Sequence, residues 1–262
     1  LRAIERQLKS APTEQVVLDF RNELFEPLTG EEYAQAAVHG PFTDFSYAYA
    51  EELGLARLGD PTTWKRGALL VRIAAHGQPE RAPSLFQKLA DVATKNGEGK
   101  LAQEYRGSIR DYGQAVGPEH LVAEQKAIYF AAVKKIADDA AAAQDWKTAI
   151  SNYILYSKAE NSGKETLRTL AQMYENDGQV FAALRVLEDA FTRGADADLN
   201  ERKDRYYYSI EPDELRTKID EVRGHFDTKY CVRKTKQLLD TNNPELEVLD
   251  WATHLAKLAL VM

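Results

Sequence analysis

The sequence predicts an all-α protein, an α-solenoid of antiparallel helix pairs with irregular helical ends. Three observations lead to this prediction. Apolar residues recur at helical spacing along most of the chain, and the strict alternation of apolar and polar residues that is typical of strands is missing. In addition, one helix-pair pattern is written twice with a spacing of 34 residues. Internal repeats of this kind indicate helix pairs that stack on their neighbours.

The two copies of the pattern keep strict phase within residues 131–194. The second copy reads "LRTLAQMYENDGQVFAALRVLEDAF", in which Gly178 separates two helices. The equivalent positions are Val133 and Leu167, Ile136 and Leu170, Ala137 and Ala171, Ala140 and Tyr174, Trp146 and Val180, Ala149 and Ala183, Ile150 and Leu184, and Tyr153 and Leu187. We expect the alanines where the helices of a pair cross, because only small side chains allow close packing there.

A 34-residue period of paired helices is typical of tetratricopeptide repeats, and this stretch of about 60 residues resembles that family. The resemblance implies a solenoid whose first helices line a binding groove. At the groove positions stand Lys134 and Asp138 in the first copy and Arg168, Gln172 and Asn176 in the second.

Family members that hold a peptide's terminal carboxylate use a paired lysine and asparagine at such positions. Lys134 and Arg168 match in charge, but Asp138 stands where asparagine is needed and would repel a carboxylate. The resemblance therefore implies groove contacts to another kind of partner, and the alternative is a solvated helix face.

The pattern predicts three regions: an irregular helical region over 1–78, repeats over 79–194, and a helical cap or divergent repeats over 195–262. In the first region, helices are expected at Pro12–Glu26, Gly30–Val38, Phe45–Leu58 and Thr62–Ala75. They are separated by Gly-Pro and Gly-Asp-Pro turns.

In the second region, a helix pair is expected within Ala82–Gly113, followed by a long helix from Glu119 to Ala143. A third strict copy is not expected, because Asp204 and Arg205 stand where leucine or alanine is needed. Further helices are expected from Pro212, over Gly224–Leu239 and over Pro244–Val261.

Composition narrows the classes of function. The chain of 262 residues has a net charge of −7, which does not favour a general role on nucleic acid or on anionic membrane. Its longest apolar runs are too short to cross a bilayer, and the first stretch, "LRAIERQLKS", lacks the apolar centre of a signal peptide. Cys231 is the only cysteine, so no intrachain disulfide is possible. We therefore expect a cytoplasmic protein without membrane insertion. The first residue, Leu1, and the apolar final segment "LAKLALVM" suggest a piece of a larger chain or complex.

No residue pattern points to catalysis, a cofactor or a metal. The five histidines (His39, His76, His120, His225 and His254) are scattered without metal-ligand spacing. The strings "NGEGKL" and "NSGKET" lack the first glycine and the hydroxyl residue of a phosphate-binding loop, so they are interpreted as turns. Cys231 has apolar neighbours and is expected to be a buried thiol.

Two segments outside the repeats are candidates for binding. In "ERKDRYYYSI", the residues Arg202, Arg205 and Tyr206 could contact a protein or stack on nucleic acid, with at least one tyrosine packed inward. Lys229, Arg233 and Lys236 form one basic helix stripe, which is either a solvated face or a site for an acidic partner.

These observations predict a non-catalytic protein-interaction module or scaffold that binds a peptide or a partner domain in a helical groove. The alternative is a regulatory or scaffolding arm of a larger enzyme, such as a signalling kinase or a protease. A nucleic-acid-binding helical repeat is less favoured.

Overall fold

The computed structural model describes residues 44–159, 163–194, 197–222, 227–241 and 245–262. Over these ranges the chain forms helices joined by turns, and none of it is a strand. The all-α class predicted from the sequence is therefore confirmed. The helices predicted at Pro12–Glu26 and Gly30–Val38 lie outside the described residues.

The chain divides into two compact units, Leu1–Ile136 and Ala137–Met262. The boundary falls within the fifth described helix, inside the region 79–194 that the sequence assigns to repeats. The described helices of the first unit are α1 (Asp44–Leu58), α2 (Trp64–Gly77), α3 (Ala82–Lys95), α4 (Gly99–Val116) and the greater part of α5 (Ala123–Ala142). Its core is formed by helices α1 to α4, with Leu70, Ile73, Leu85 and Leu89 almost completely buried.

Helix α5 begins later than the sequence predicts. A helix was expected from Glu119, but Pro118–His120 forms a single 3₁₀ turn and Leu121 is extended at φ −70° and ψ 138°. An extended residue cannot continue a helix, so α5 starts at Ala123. Helix α2 likewise starts at Trp64 instead of Thr62, because the Asp60 carboxylate accepts hydrogen bonds from the Thr62 backbone (2.8 Å) and hydroxyl (2.7 Å) in the preceding turn.

Two glycines let α1 and α2 approach closely. A Cβ atom built on Gly67 would lie 2.7 Å from the Gly54 carbonyl oxygen and 2.9 Å from the Arg57 Cβ. A Cβ atom on Gly54 would lie 2.9 Å from the Gly67 carbonyl oxygen. Because these neighbours are backbone atoms and a Cβ, which cannot rotate away, the crossing requires glycine on both helices.

The described part of the second unit contains the end of α5 and the helices that follow it. They are α6 (Trp146–Tyr156), α7 (Lys164–Asn176), α8 (Val180–Thr192), α9 (Ala197–Ser209), α10 (Pro212–Val222), α11 (Thr228–Leu239) and α12 (Leu246–Val261). Each of α6, α7 and α8 packs against the next helix in the chain, whereas α12 contacts α9, α10 and α11. Packing between chain neighbours is what a repeat pattern predicts for α6 to α9.

The four alanines assigned to helix crossings are Ala137, Ala149, Ala171 and Ala183, and all are fully buried. Among the larger residues of the pattern, Tyr153 and Leu187 are also buried, whereas Tyr174 is half-buried. The crossing positions are therefore buried in both copies, whereas Trp146 and Val180 of the same pattern are half-buried.

Helix α9 follows α7 at a spacing close to the repeat period, although its sequence is not a strict copy. Helix α9 begins at Ala197 and α7 begins at Lys164, so their first residues are 33 positions apart. This spacing is one residue shorter than the 34-residue period. With this shorter spacing, Lys203 and Asp204 take the places of Leu170 and Ala171, and each is only 7% exposed. At the full period, Asp204 and Arg205 take these places, and Arg205 is exposed. At either spacing α9 lacks the leucine and alanine of the strict copies, as expected from the sequence.

Contacts from α8 and α11 compensate these two buried charges. The Asp204 Oδ2 atom lies 2.8 Å from the Lys234 Nζ atom of α11. The Lys203 ammonium lies 4.7 Å from the Tyr230 ring centroid and 5.0 Å from that of Phe191. A buried charge is tolerated only with such a partner, and aromatic faces attract cations.

The length and hydropathy of a helix decide whether it can cross a membrane. Among the described residues, no helix combines the length and the apolar character needed to cross a bilayer.

Candidate functional site

The exposed side of α7 carries three of the residues predicted to line a groove. Arg168, Gln172 and Asn176 follow one another at intervals of four, so they share one face of the helix. The Gln172 amide donates a hydrogen bond to the Asn176 Oδ1 atom over 3.2 Å. The Arg168 guanidinium pairs with Glu165 of the same helix at 2.6 Å and with Asp198 of α9 at 3.2 Å.

Helix α9 brings the Arg-Tyr segment to the same place. Arg202, Arg205, Tyr206 and Ser209 lie on one face because their spacing follows the helical repeat. The Arg202 Nη2 atom donates to the Gln172 Oε1 atom at 3.0 Å and lies 3.4 Å from the Glu175 carboxylate. These bonds connect α9 to α7.

Between the two helices lies a cleft of about 430 Å³, which we call the α7–α9 cleft. It is lined by Gln172, Glu175, Asp198, Arg202, Arg205, Tyr206 and Ser209. Two groups of residues that the sequence considered separately, the groove positions of the second copy and the Arg-Tyr segment, therefore meet at one site.

The charges of the cleft balance, since two arginines face two carboxylates. The Arg202 side chain is 17% exposed and is engaged by Glu175. The Arg205 side chain is 70% exposed and pairs with Glu201 of its own helix, at 3.0 Å. Exposed pairs of this kind are weak and exchange with water, so Arg205 is the cation that a ligand could recruit.

Tyr206 closes the floor of the cleft and is 6% exposed. Among the described residues, its buried hydroxyl has no hydrogen-bond partner of good geometry. Burial, and then the nearby Glu175 carboxylate, raise the pKa of Tyr206 well above its usual value, although Arg202 acts in the opposite direction. The phenol therefore stays neutral and is a hydrogen-bond group rather than a nucleophile.

The other two tyrosines of the segment do not form a row of exposed rings with Tyr206. Tyr207 is fully buried, and its hydroxyl donates to the Glu188 carboxylate at 3.0 Å. Tyr208 is 42% exposed and packs against Trp251, with ring centroids 5.9 Å apart. The prediction that at least one tyrosine packs inward is confirmed. Stacking of successive bases, however, needs several accessible rings, and this segment offers one.

The groove residues of the first copy lie elsewhere. Lys134 and Asp138 are one turn apart on α5, and both are half-buried. The α7–α9 cleft is lined by other side chains.

Three lining residues, Glu175, Asp198 and Ser209, were missed by sequence reasoning. For Ser209 alone, a signal was present in the shorter spacing of α7 and α9. With that spacing, Arg205 and Ser209 occupy the groove positions of Gln172 and Asn176.

Groups that could support other chemistry are dispersed. In the described ranges, no three residues among the histidines, cysteines, aspartates and glutamates lie close enough to hold a metal ion. His254 contacts the Ile210 carbonyl oxygen through its Nε2 atom, while His39 and His225 lie outside the described residues. Cys231 is fully buried, as predicted, and burial raises the pKa of its thiol to about 12, so the reactive thiolate is disfavoured.

The first half of the string "NGEGKL" is a turn, as predicted, whereas Gly99, Lys100 and Leu101 begin α4. Gly97, at φ +76°, stands between α3 and α4. In the second string, Gly163 is extended just before α7, and Asn161 and Ser162 lie outside the described residues.

Fold and site together define an all-α protein with a polar cleft between two helices. No family model, curated protein or solved structure matches this chain.

Proposed function

We propose that this chain is a non-catalytic interaction module, resembling a tetratricopeptide-repeat solenoid, that binds a peptide segment of a partner protein in the α7–α9 cleft. The observation that carries the proposal is the position of the cleft. It lies between α7, the first helix of the second repeat copy, and α9, the later helix that has the same register. In helical repeats, neighbouring first helices form the binding groove.

The chemistry of the cleft suits a polar, uncharged stretch of peptide. Its guanidinium and hydroxyl groups can donate hydrogen bonds to the C=O groups of a peptide backbone. Its amide and carboxylate oxygens can accept hydrogen bonds from the backbone N–H groups. Because Arg202 is already paired with Glu175, a strongly anionic ligand would have to displace that carboxylate. Binding of a peptide's terminal carboxylate is therefore disfavoured here, as the aspartate in the first copy also indicates.

Ser209 offers a direct test, because it lines the cleft and is exposed at the end of α9. The Ser209→Trp substitution should fill the cleft without disturbing the core. We expect at least a tenfold loss of affinity for peptides selected on the native protein from a random display library, since the indole would occupy the space that the peptide needs. Fluorescence anisotropy of labelled peptides measures this change.

Ser151 provides the matched control. It is also an exposed helical serine, and its hydroxyl bonds the carbonyl of the residue three positions earlier at 3.0 Å, as that of Ser209 does at 2.9 Å. The Ser151→Trp variant should bind the selected peptides like the native protein. Equal affinity of both variants and the native protein would show that the cleft is not the binding site.

A further inference from the structure

Helix α11 has one buried face and one open face. Tyr230 and Cys231 are buried in the core of the second unit, and Lys234 reaches Asp204 from the same side. On the open face, Lys229, Arg233 and Lys236 follow one another at helical spacing. A shallow cavity of about 730 Å³ extends along this open face, between Thr228 and Asp240.

The three cations of the open face differ in their pairing from three arginines elsewhere in the second unit. Arg168, Arg202 and Arg205 all pair with carboxylates. Within the part of the chain that the structure describes, Lys229, Arg233 and Lys236 form no ion pair, and the Arg233 guanidinium lies 5.9 Å from the Tyr230 ring centroid. On a chain with a net charge of −7, an unneutralised basic stripe is a local exception.

Apolar side chains border the stripe. Val232 is 41% exposed and Leu239 is 51% exposed. They are seven residues apart, which is about two helical turns, and therefore lie on the same side of the helix. The open face thus combines an apolar edge of heptad spacing with three cations beside it, over the length of the helix.

We propose that the open face of α11 docks an acidic amphipathic helix of a partner protein. The partner's apolar residues, at heptad spacing, would cover Val232 and Leu239, and its aspartates or glutamates would face Lys229, Arg233 and Lys236. Two helices that combine an apolar seam with flanking opposite charges associate in this manner. This surface is separate from the α7–α9 cleft, and neither proposal depends on the other.

The same face is less suited to a membrane or to nucleic acid. A membrane-surface helix buries a broad apolar face in the lipid, whereas the broad apolar face of α11 is packed in the core and only its edge is open. Nucleic acid would meet Asp240 at the end of the stripe, on a chain whose net charge is −7. An acidic helix needs only the local complementarity that α11 provides.

The test is a peptide selection with a charge-reversed variant. The probe is a display library of helical peptides with leucine at heptad spacing and with the remaining positions drawn from glutamate, lysine, alanine and glutamine. The native protein should select acidic peptides. The triple variant Lys229→Glu, Arg233→Glu, Lys236→Glu should select basic peptides instead. It should also bind the native protein's peptides at least tenfold more weakly, because three attractive pairs become repulsive.

A second triple variant separates the local surface from total charge. Lys88, Lys95 and Lys100 are exposed in the first unit, and their reversal to glutamate changes the net charge equally. This control, as well as Ser209→Trp, should keep the native preference and affinity.

The proposal fails if no peptide is enriched, if enrichment shows no charge bias, or if the two triple variants behave alike. It also fails if Ser209→Trp abolishes binding. Binding of phosphatidylserine vesicles or single-stranded RNA that only the α11 variant loses, without binding of acidic peptides, would assign the surface to those ligands and overturn the proposal.

Discussion

The Lys234→Met substitution is expected to lower the free energy of unfolding of the second unit by about 2–3 kcal/mol, because it leaves the Asp204 carboxylate without its cation. The Asp204 side chain is 10% exposed and the Lys234 side chain 23%, with 2.8 Å between the Oδ2 and Nζ atoms. Among the described residues, the other carboxylate oxygen of Asp204 is buried without a hydrogen-bond partner. Because Lys234 is partly exposed, the expected loss lies just below the range of about 3–5 kcal/mol for fully buried pairs.

Native-state hydrogen exchange of the α9 and α11 amides measures this loss locally. Lys236→Met is the matched control, because Lys236 lies on the open face of the same helix, and its replacement should change stability by less than about 0.5 kcal/mol. The double variant Asp204→Ala, Lys234→Met should recover most of the loss, since apolar residues of suitable size often replace a buried pair without cost. Equal stability of Lys234→Met and Lys236→Met would contradict the importance of the pair.

The Gly67→Ala substitution is expected to lower the stability of the first unit by about 1–3 kcal/mol. The new methyl group would lie 2.7 Å from the Gly54 carbonyl oxygen, so α1 and α2 would have to separate. Their separation would loosen contacts around the buried residues Leu70 and Val71 of α2.

Gly107→Ala is the matched control for this experiment and should have the opposite sign. Gly107 lies inside α4, and a Cβ atom there would meet none of the described residues within 4 Å. Alanine should therefore stabilise α4 by about 0.5–1 kcal/mol, through its better helix propensity. Hydrogen exchange of the α1, α2 and α4 amides distinguishes the two effects. A Gly67→Ala variant as stable as the native protein would show that the crossing is looser than described.

The sequence predicted the parts of this fold that depend on local pattern. The all-α class follows from helical periodicity. The burial of Ala171 and Ala183 follows from the repeat, and the turn at Gly97 from its glycines. These features are specified within one helix pair, so a single stretch of chain contains the information.

The register of α9 could not be predicted from apolar residues at the repeat positions. Lys203 and Asp204 stand at buried positions, and a search for apolar residues passes over them. The compensating partner of Asp204 is Lys234, which belongs to α11, a later helix that no repeat relates to α9. Only the tertiary arrangement shows that the charges are paired.

The α7–α9 cleft also becomes visible only in the tertiary arrangement. Each helix contributes a polar face that, by itself, is indistinguishable from a solvated surface. The hydrogen bond from Arg202 to Gln172 connects side chains of two helices that are well separated in the sequence. Once Ala197 of α9 is aligned with Lys164 of α7, Ser209 falls at a groove position, so part of the site was accessible to a sequence search that allowed shorter spacings.

The central claim, that the α7–α9 cleft holds a partner peptide, is tested most directly by photo-crosslinking. Benzoylphenylalanine is placed at position 209 in one protein and at position 151 in another, and each is irradiated with a peptide selected on the native protein. We predict a crosslinked product at position 209, with mass spectrometry placing the peptide against residues of α7, and none at position 151. Crosslinking that is equal at both positions, or that occurs only at 151, would contradict the claim.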